Sequence, residues 1–213
     1  MINPQLQKAS IIKNKRSIAI SNDTKELQQK REKFLGFFNV NNWNPPIQVF
    51  EMYPADVEGG AIKGIKQIPQ YLNEYKFANT RLKIKSETGT EIDHLSWKET
   101  LKVISHLCKR LIQFEFHFVI FCSEGSRSPH IRIYDLLELE DLNSYQRELA
   151  QQWFWKRIAG NYYSELDKSI LADNHPLQLE FAIHWRTGNP FVLIYEHIPQ
   201  RILKREGEKQ TQL

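Results

Sequence analysis

Residues 116–134 read FHFVIFCSEGSRSPHIRIY, and this stretch decides the fold. Its first part, 116–122, is almost wholly apolar, the pattern of a strand covered on both faces. The next part, 123–129, gathers Gly125, Pro129 and three serines, which is turn chemistry. Residues 130–134 then alternate. Ile131 and Ile133 face a core, while His130, Arg132 and Tyr134 look the other way. The stretch is therefore a strand, a turn and a second strand.

Working outward toward the N-terminus, Ser96-x-x-Glu99 is a capping-box pattern. It opens a helix in which Trp97, Leu101, Ile104, Cys108 and Leu111 recur as one buried stripe. Residues 90–93 before it are a short strand or strand end, and 81–85 alternate with Leu82 and Ile84 on one face. Toward the C-terminus, 143–158 is a second helix, with Ser144 as a candidate cap and Tyr145, Leu149, Gln152 or Trp153, and Lys156 along one side. Residues 177–183 alternate cleanly, so that Leu177, Leu179, Phe181 and Ile183 face the core. Residues 186–190 form a turn and 191–195 a strong strand. Mixed strands and helices of this kind give an α+β fold, a mixed sheet with flanking helices.

The N-terminal third is less regular. A peripheral helix is expected over 23–34, a boundary at 41–46 (NNWNPP), a short strand over 48–53, a Gly-rich break at 58–64 and a helix over 67–75. Three regions follow: a basic N-terminal segment and lobe at 1–79, a core at 80–200 and a polar tail at 201–213.

The chain has 213 residues, 41% hydrophobic and 12% aromatic, enough to build a core. Its net charge is +4, unevenly placed. Residues 1–33 hold eight Lys/Arg against three acids and 201–213 hold four against two, which leaves the body near −3. Basic ends suit a phosphate backbone, and equally suit solubilising termini. No apolar run is long enough to cross a bilayer, and the N-terminus lacks the apolar segment of a signal peptide. No membrane association and a cytoplasmic location are therefore expected. Cys108 and Cys122 form no CxxC pair and read as buried free thiols in a reducing compartment.

Three features could carry chemistry. In Glu91-Ile92-Asp93, alternation places both carboxylates on one face of a strand. Paired acids are best tolerated beside a hard cation such as Mg²⁺ or Mn²⁺. In 123–130, SEGSRSPH, a Gly/Ser turn offers backbone N–H groups to an anion, Arg127 offers a planar guanidinium, and His130 can donate to a phosphate oxygen. It is not a P-loop, since no Gly-Lys-Ser/Thr ending is present. Finally, Glu180 and His184 share the exposed face of the 177–183 strand, and Arg186 follows in the turn. Taken singly, each has an ordinary reading: solvated acids, a plain hairpin, a surface ion cluster.

Taken together and in this order, the three resemble the motifs of archaeo-eukaryotic primases and primase-polymerases. Glu91-Ile92-Asp93 is similar to the acid-x-acid strand, Ser128-Pro129-His130 to the Ser-x-His turn opening a strand, and Leu179-Glu180 to the later strand bearing one more acid. The resemblance covers residues 80–196. It departs from the usual pattern in having glutamates in the first and third motifs, a polar Gly89-Thr90 before the first, and no cysteine-based zinc element. It implies a primase-polymerase-like (RRM-like) catalytic core and template-dependent joining of nucleoside triphosphates. It also implies Mg²⁺ or Mn²⁺ held by the catalytic acids Glu91, Asp93 and Glu180. Ser126, Arg127, Ser128 and His130 would hold the triphosphate, and Arg186 and His184 would offset charge on the leaving pyrophosphate. The implied partners are a single-stranded template and an accessory primase subunit, with Lys63, Lys66 and the basic N-terminus on the template backbone and Trp43 or Trp97 against a base. The alternatives are a non-catalytic primase-like subunit that binds nucleotide or nucleic acid, a metal-dependent nuclease, and an adaptor with no active site.

Overall fold

The computed structural model describes residues 24–37, 49–50, 80–126, 128–173, 175–184, 188–200 and 202. The features expected at 41–46, 58–64 and 67–75, together with Trp43, Lys63, Lys66, Arg127 and Arg186, lie outside those residues. The elements, in chain order, are α1 Thr24–Phe37, β1 Val49–Phe50, β2 Thr80–Arg81, β3 Thr88–Glu91, α2 Trp97–Gln113, β4 Phe118–Ser123, β5 His130–Ile133, α3 Ser144–Ala159, β6 Leu177–Gln178 and β7 Phe191–His197. Short 3₁₀ turns occupy Leu137–Leu139, Gly160–Glu165 and Ser169–Leu171. The fold is α+β, and the paired strands β1–β2, β3–β5 and β4–β5 run antiparallel. By contacts the chain divides into two compact units, Leu82–Leu177 with Val192–Leu213, and Met1–Arg81 with Gln178–Phe191.

In the first unit a four-stranded sheet has the order β3-β5-β4-β7. Ile131 pairs with Ile120 and Thr90, so alternate residues of the strands fall on common faces. One face carries Phe118, Ile120, Ile131 and Ile133 into a cluster with Val103, Leu107 and Leu111 of α2 and Trp155 and Ile158 of α3. The opposite face is also closed to solvent, since Val119, Phe121 and Arg132 are each 0% exposed. This double burial is why 116–122 reads as a continuous apolar run.

α2 starts where the sequence requires. The Ser96 side chain accepts from the Glu99 backbone N–H at 3.3 Å, and the Glu99 carboxylate accepts from the Ser96 N–H at 3.1 Å. Its buried face is Thr100, Val103, Leu107 and Leu111, with Ile104 and Cys108 at the edge. The expected stripe is therefore rotated by roughly a fifth of a turn at 100° per residue, and Trp97 (46%) and Leu101 (48%) are exposed. α3 is capped by Asn143 rather than Ser144. The Asn143 side chain accepts from the Gln146 N–H, and Gln146 answers on the Asn143 N–H. Its inward side is Arg147, Gln151, Trp155 and Ile158, while Tyr145, Leu149 and Trp153 face solvent.

Polar groups on the inner side of α3 fasten it to β3. Trp155 Nε1 donates to Thr88 Oγ1 at 2.9 Å, and Gln151 Oε1 accepts from Thr88 Oγ1 and from Lys83 Nζ. Burial drives the Lys83 amine down to about 8, although the carboxylates of Glu87 and Asp173 oppose this. Arg147 clasps Asp173 through Nε and Nη2, the latter at 2.5 Å, and donates to the Leu142 carbonyl at 2.7 Å.

The second unit holds α1, β1 and β2. β1 pairs with β2 in the register Val49↔Arg81, within a three-stranded sheet of order β1-β2-β6. The strand expected over 177–183 ends at Gln178, because the chain turns through Phe181 at φ +56°. Phe181 then bonds back to the Phe191 carbonyl and packs edge-on against Phe34 at 5.7 Å. Glu180 does not lie on an exposed face: it is 0% exposed, and so is Arg81. Arg81 Nη2 reaches one Glu180 oxygen at 2.6 Å and Nε the other at 2.9 Å. Arg31 Nε adds a 2.6 Å bond to the Glu180 carbonyl. A charge removed from water in this way needs a paired, two-bond partner, and arginine supplies one.

Candidate cation site

The site lies where β3 ends and β5 begins. Antiparallel pairing puts Glu91 directly opposite His130, and the imidazole Nε2 stands 3.3 Å from the Glu91 carboxylate. The next residue, Ile92, donates its N–H to the Pro129 carbonyl, and the Ser128 hydroxyl then donates to Asp93 Oδ1. The acid-x-acid strand and the Ser-x-His turn therefore meet side by side. A further segment arrives from the other edge of β3: Leu166 bridges Ile92, and the Asp167 N–H donates to the Glu91 carbonyl at 2.9 Å.

This arrangement brings Glu91, Asp93 and Asp167 together, each contributing a carboxylate oxygen within 4.8 Å of the others, and all three are half-buried. Among the described residues this is the group of acids that could hold a metal ion. Three hard-oxygen donors at the rim of a sheet suit a divalent cation of the Mg²⁺ or Mn²⁺ type. Burial pushes Glu91 up, but His130 and, with smaller effect, Arg132 and His175 outweigh it and hold the carboxyl below its ordinary range. Asp167 accepts from the Ser169 N–H at 2.9 Å and the Ser169 hydroxyl at 3.0 Å, which fixes its carboxylate.

Local sequence explains the geometry. Gly125, at φ +78°, occupies the third position of a turn closed by Ser126 N–H on the Ser123 carbonyl, a backbone that favours glycine. Ser126 Oγ accepts from the Ser128 N–H at 3.1 Å, so this hydroxyl shapes the turn. Gly89 sits opposite Arg132, and a Cβ there would lie 3.0 Å from the Ile131 carbonyl and 3.5 Å from Arg132 Cγ. The polar Gly89-Thr90 flank thus gives room to the arginine stem. His94, immediately after Asp93, takes φ +64°, a left-handed turn that returns the chain to the Ser96 cap.

Of the residues singled out from sequence, Glu91, Asp93, Ser128 and His130 converge, and Ser126 supports their turn. His130 faces away from Ile131 and Ile133 as expected, but only 7% of it is exposed. His184 lies in the other unit, at a hairpin where its N–H meets the Asn189 carbonyl. Glu180 is committed to Arg81, and the third acid beside Glu91 and Asp93 is Asp167. Sequence reasoning passed over Asp167 because 164–169, SELDKS, shows no alternation. The available signal was Leu166-Asp167, an apolar–acid pair. His175 was also missed. Burial lowers its basicity, while Asp167 and Glu91 raise it.

No family model matches the chain, and no curated protein matches it. Among solved structures it is similar to the polymerase domain from Mycobacterium tuberculosis ligase D in complex with DNA. The identity is 11%, over 78% of this chain and 73% of that one, with a TM-score of 0.43. No helix among the described residues is long and apolar enough to cross a membrane.

Proposed function

We propose that the chain is a template-dependent nucleotidyltransferase of the primase-polymerase type, joining nucleoside triphosphates with Mg²⁺ or Mn²⁺. One observation carries the reading: the β3–β5 register sets Glu91 against His130 and Ser128 against Asp93, with Asp167 alongside. In this reading Glu91, Asp93 and Asp167 are the metal ligands, and Leu166-Asp167 takes the part that the sequence assigned to Leu179-Glu180. Bound there, divalent cations supply Lewis-acid neutralisation of charge on the attacking and leaving oxygens.

The chain's own residues orient the reactants. Ser128 holds Asp93 in place through its hydroxyl. His130, its Nε2 turned to Glu91, helps hold that carboxyl below its ordinary range, and takes the phosphate-contacting part that the sequence assigned to it. Ser126 and Arg127 complete the phosphate grip, where preorganised donors count most. A single-stranded template is the partner this function requires, and an accessory primase subunit is a further partner proposed with it.

The test is incorporation of a labelled nucleotide on single-stranded and primed templates with Mg²⁺ or Mn²⁺. Asp93→Ala, His130→Ala and Asp167→Ala should each abolish product while circular dichroism stays native. Nucleotide binding by the wild type without metal dependence or incorporation would instead make it a non-catalytic primase-like subunit. Loss of template would make it a nuclease.

A further inference from the structure

The outward face of α2 plays no part in the site described above. Lys98, Leu101, Lys102, Ser105, Lys109 and Ile112 are all exposed there. That arc carries three ammonium groups, with the exposed Glu99 carboxylate at its edge beside Lys102, although the chain between its basic ends is net acidic. Trp97, 46% exposed, stands at its start, four residues after Asp93.

Beside this arc runs an open groove of about 460 Å³, lined by Leu101, Lys102, Ser105, His106, Lys109 and Tyr162. The His106 and Tyr162 rings meet at 5.0 Å with their planes tilted by 57°, which forms an aromatic wall. His106 Nε2 is shielded from solvent yet makes no hydrogen bond among the described residues. A shielded polar atom of this kind calls for a partner.

We infer that this face of α2 binds a single-stranded nucleic acid, with Lys98, Lys102 and Lys109 on three phosphates along its backbone and the Trp97, His106 and Tyr162 rings against bases. The charge is complementary to a phosphate backbone, and interleaved aromatics are what distinguish a single-strand track from a merely basic surface. From Lys98 to Lys109 the helix rises about 16 Å, roughly five stacked nucleotides at 3.4 Å each. The direction of the strand, leading off from the Asp93 end of α2, rests on the function proposed above. The binding itself does not.

The experiment measures fluorescence anisotropy of a labelled oligothymidylate with the full chain, in EDTA and without nucleotide, across a salt series. Lys98→Gln/Lys102→Gln/Lys109→Gln should weaken binding tenfold or more at low salt and reduce the salt slope by about 2, since each single-strand phosphate contact contributes about 0.7. Trp97→Ala should weaken binding and leave the slope unchanged. A control of equal charge loss elsewhere, Lys156→Gln/Arg157→Gln/Lys168→Gln, should bind as the wild type does. Wild-type affinity in the α2 triple variant, equal loss in the control, or displacement by polyglutamate as effective as by unlabelled oligonucleotide would each overturn the assignment. Failed incorporation with this binding pattern intact would count against the catalytic reading alone.

Discussion

Glu180→Gln separates the two roles open to this residue. The substitution keeps shape and one acceptor but removes the charge that Arg81 meets at 2.6 and 2.9 Å. Both side chains are 0% exposed, so water cannot compensate the guanidinium. Leaving one member of such a pair alone costs about 3–5 kcal/mol. In a chain of this length each kcal/mol shifts the melting temperature by roughly 2–4 °C, so Tm should fall by about 6–20 °C. Thermal unfolding followed by circular dichroism reads the first effect. Mn²⁺ titration, performed below both transitions, reads the second and should give the wild-type affinity. Replacing the pair with apolar residues, Arg81→Met/Glu180→Leu, should recover much of the lost stability, since no buried charge is then stranded. A Glu180→Gln variant that melts with the wild type but binds Mn²⁺ tenfold more weakly would refute the ion-pair account and return Glu180 to the cation site.

Three further outcomes follow from the same structure. Asp167→Asn should weaken Mn²⁺ binding at least tenfold in isothermal titration while Tm changes little, because the amide oxygen can still accept from Ser169. Trp155→Ala should cost about 3–5 kcal/mol in urea unfolding, since Trp155 is 0% exposed and its loss also strands the Thr88 hydroxyl bond. Burial raises the Asp173 carboxyl but Arg147 lowers it further, so its folded pKa lies below the unfolded value near 3.9. The stabilisation from this pair is therefore full above about pH 4 and lost as pH falls through the folded pKa. Melting curves of wild type and Asp173→Asn should converge below that range and diverge above it.

What the sequence disclosed depended on how local the signal was. The buried strand, the Ser-x-His turn and the Ser96–Glu99 cap each lie within a few residues, and each has its expected form. Glu91, Asp93, Ser128 and His130 could be grouped because one helix and one strand separate them, and antiparallel pairing then brings them into register. The position of Glu180 could not be read in the same way. Its pattern Leu-x-Phe-x-Ile resembles a half-buried strand, and only Arg81, 99 residues earlier, reveals that the intervening acid points inward. Asp167 was hidden for the opposite reason: it sits in a polar stretch without period and is positioned by backbone bonds to β3. Trp97 and Leu101 misled because apolar residues at helical spacing suggest a core, whereas the smaller Thr100 and Val103 face it.

The register of β3 on β5 makes the candidate cation site a sensor of correct strand pairing. Sliding β3 by a single residue would exchange its two faces, swinging both acids toward the apolar layer and Ile92 outward. Misfolded pairings would then bind no Mn²⁺, whereas the native pairing would be drawn forward by any cation it captures, by RT ln(1 + [L]/Kd). Refolding yield should therefore rise when Mn²⁺ is present from the start, with no change in the chain itself.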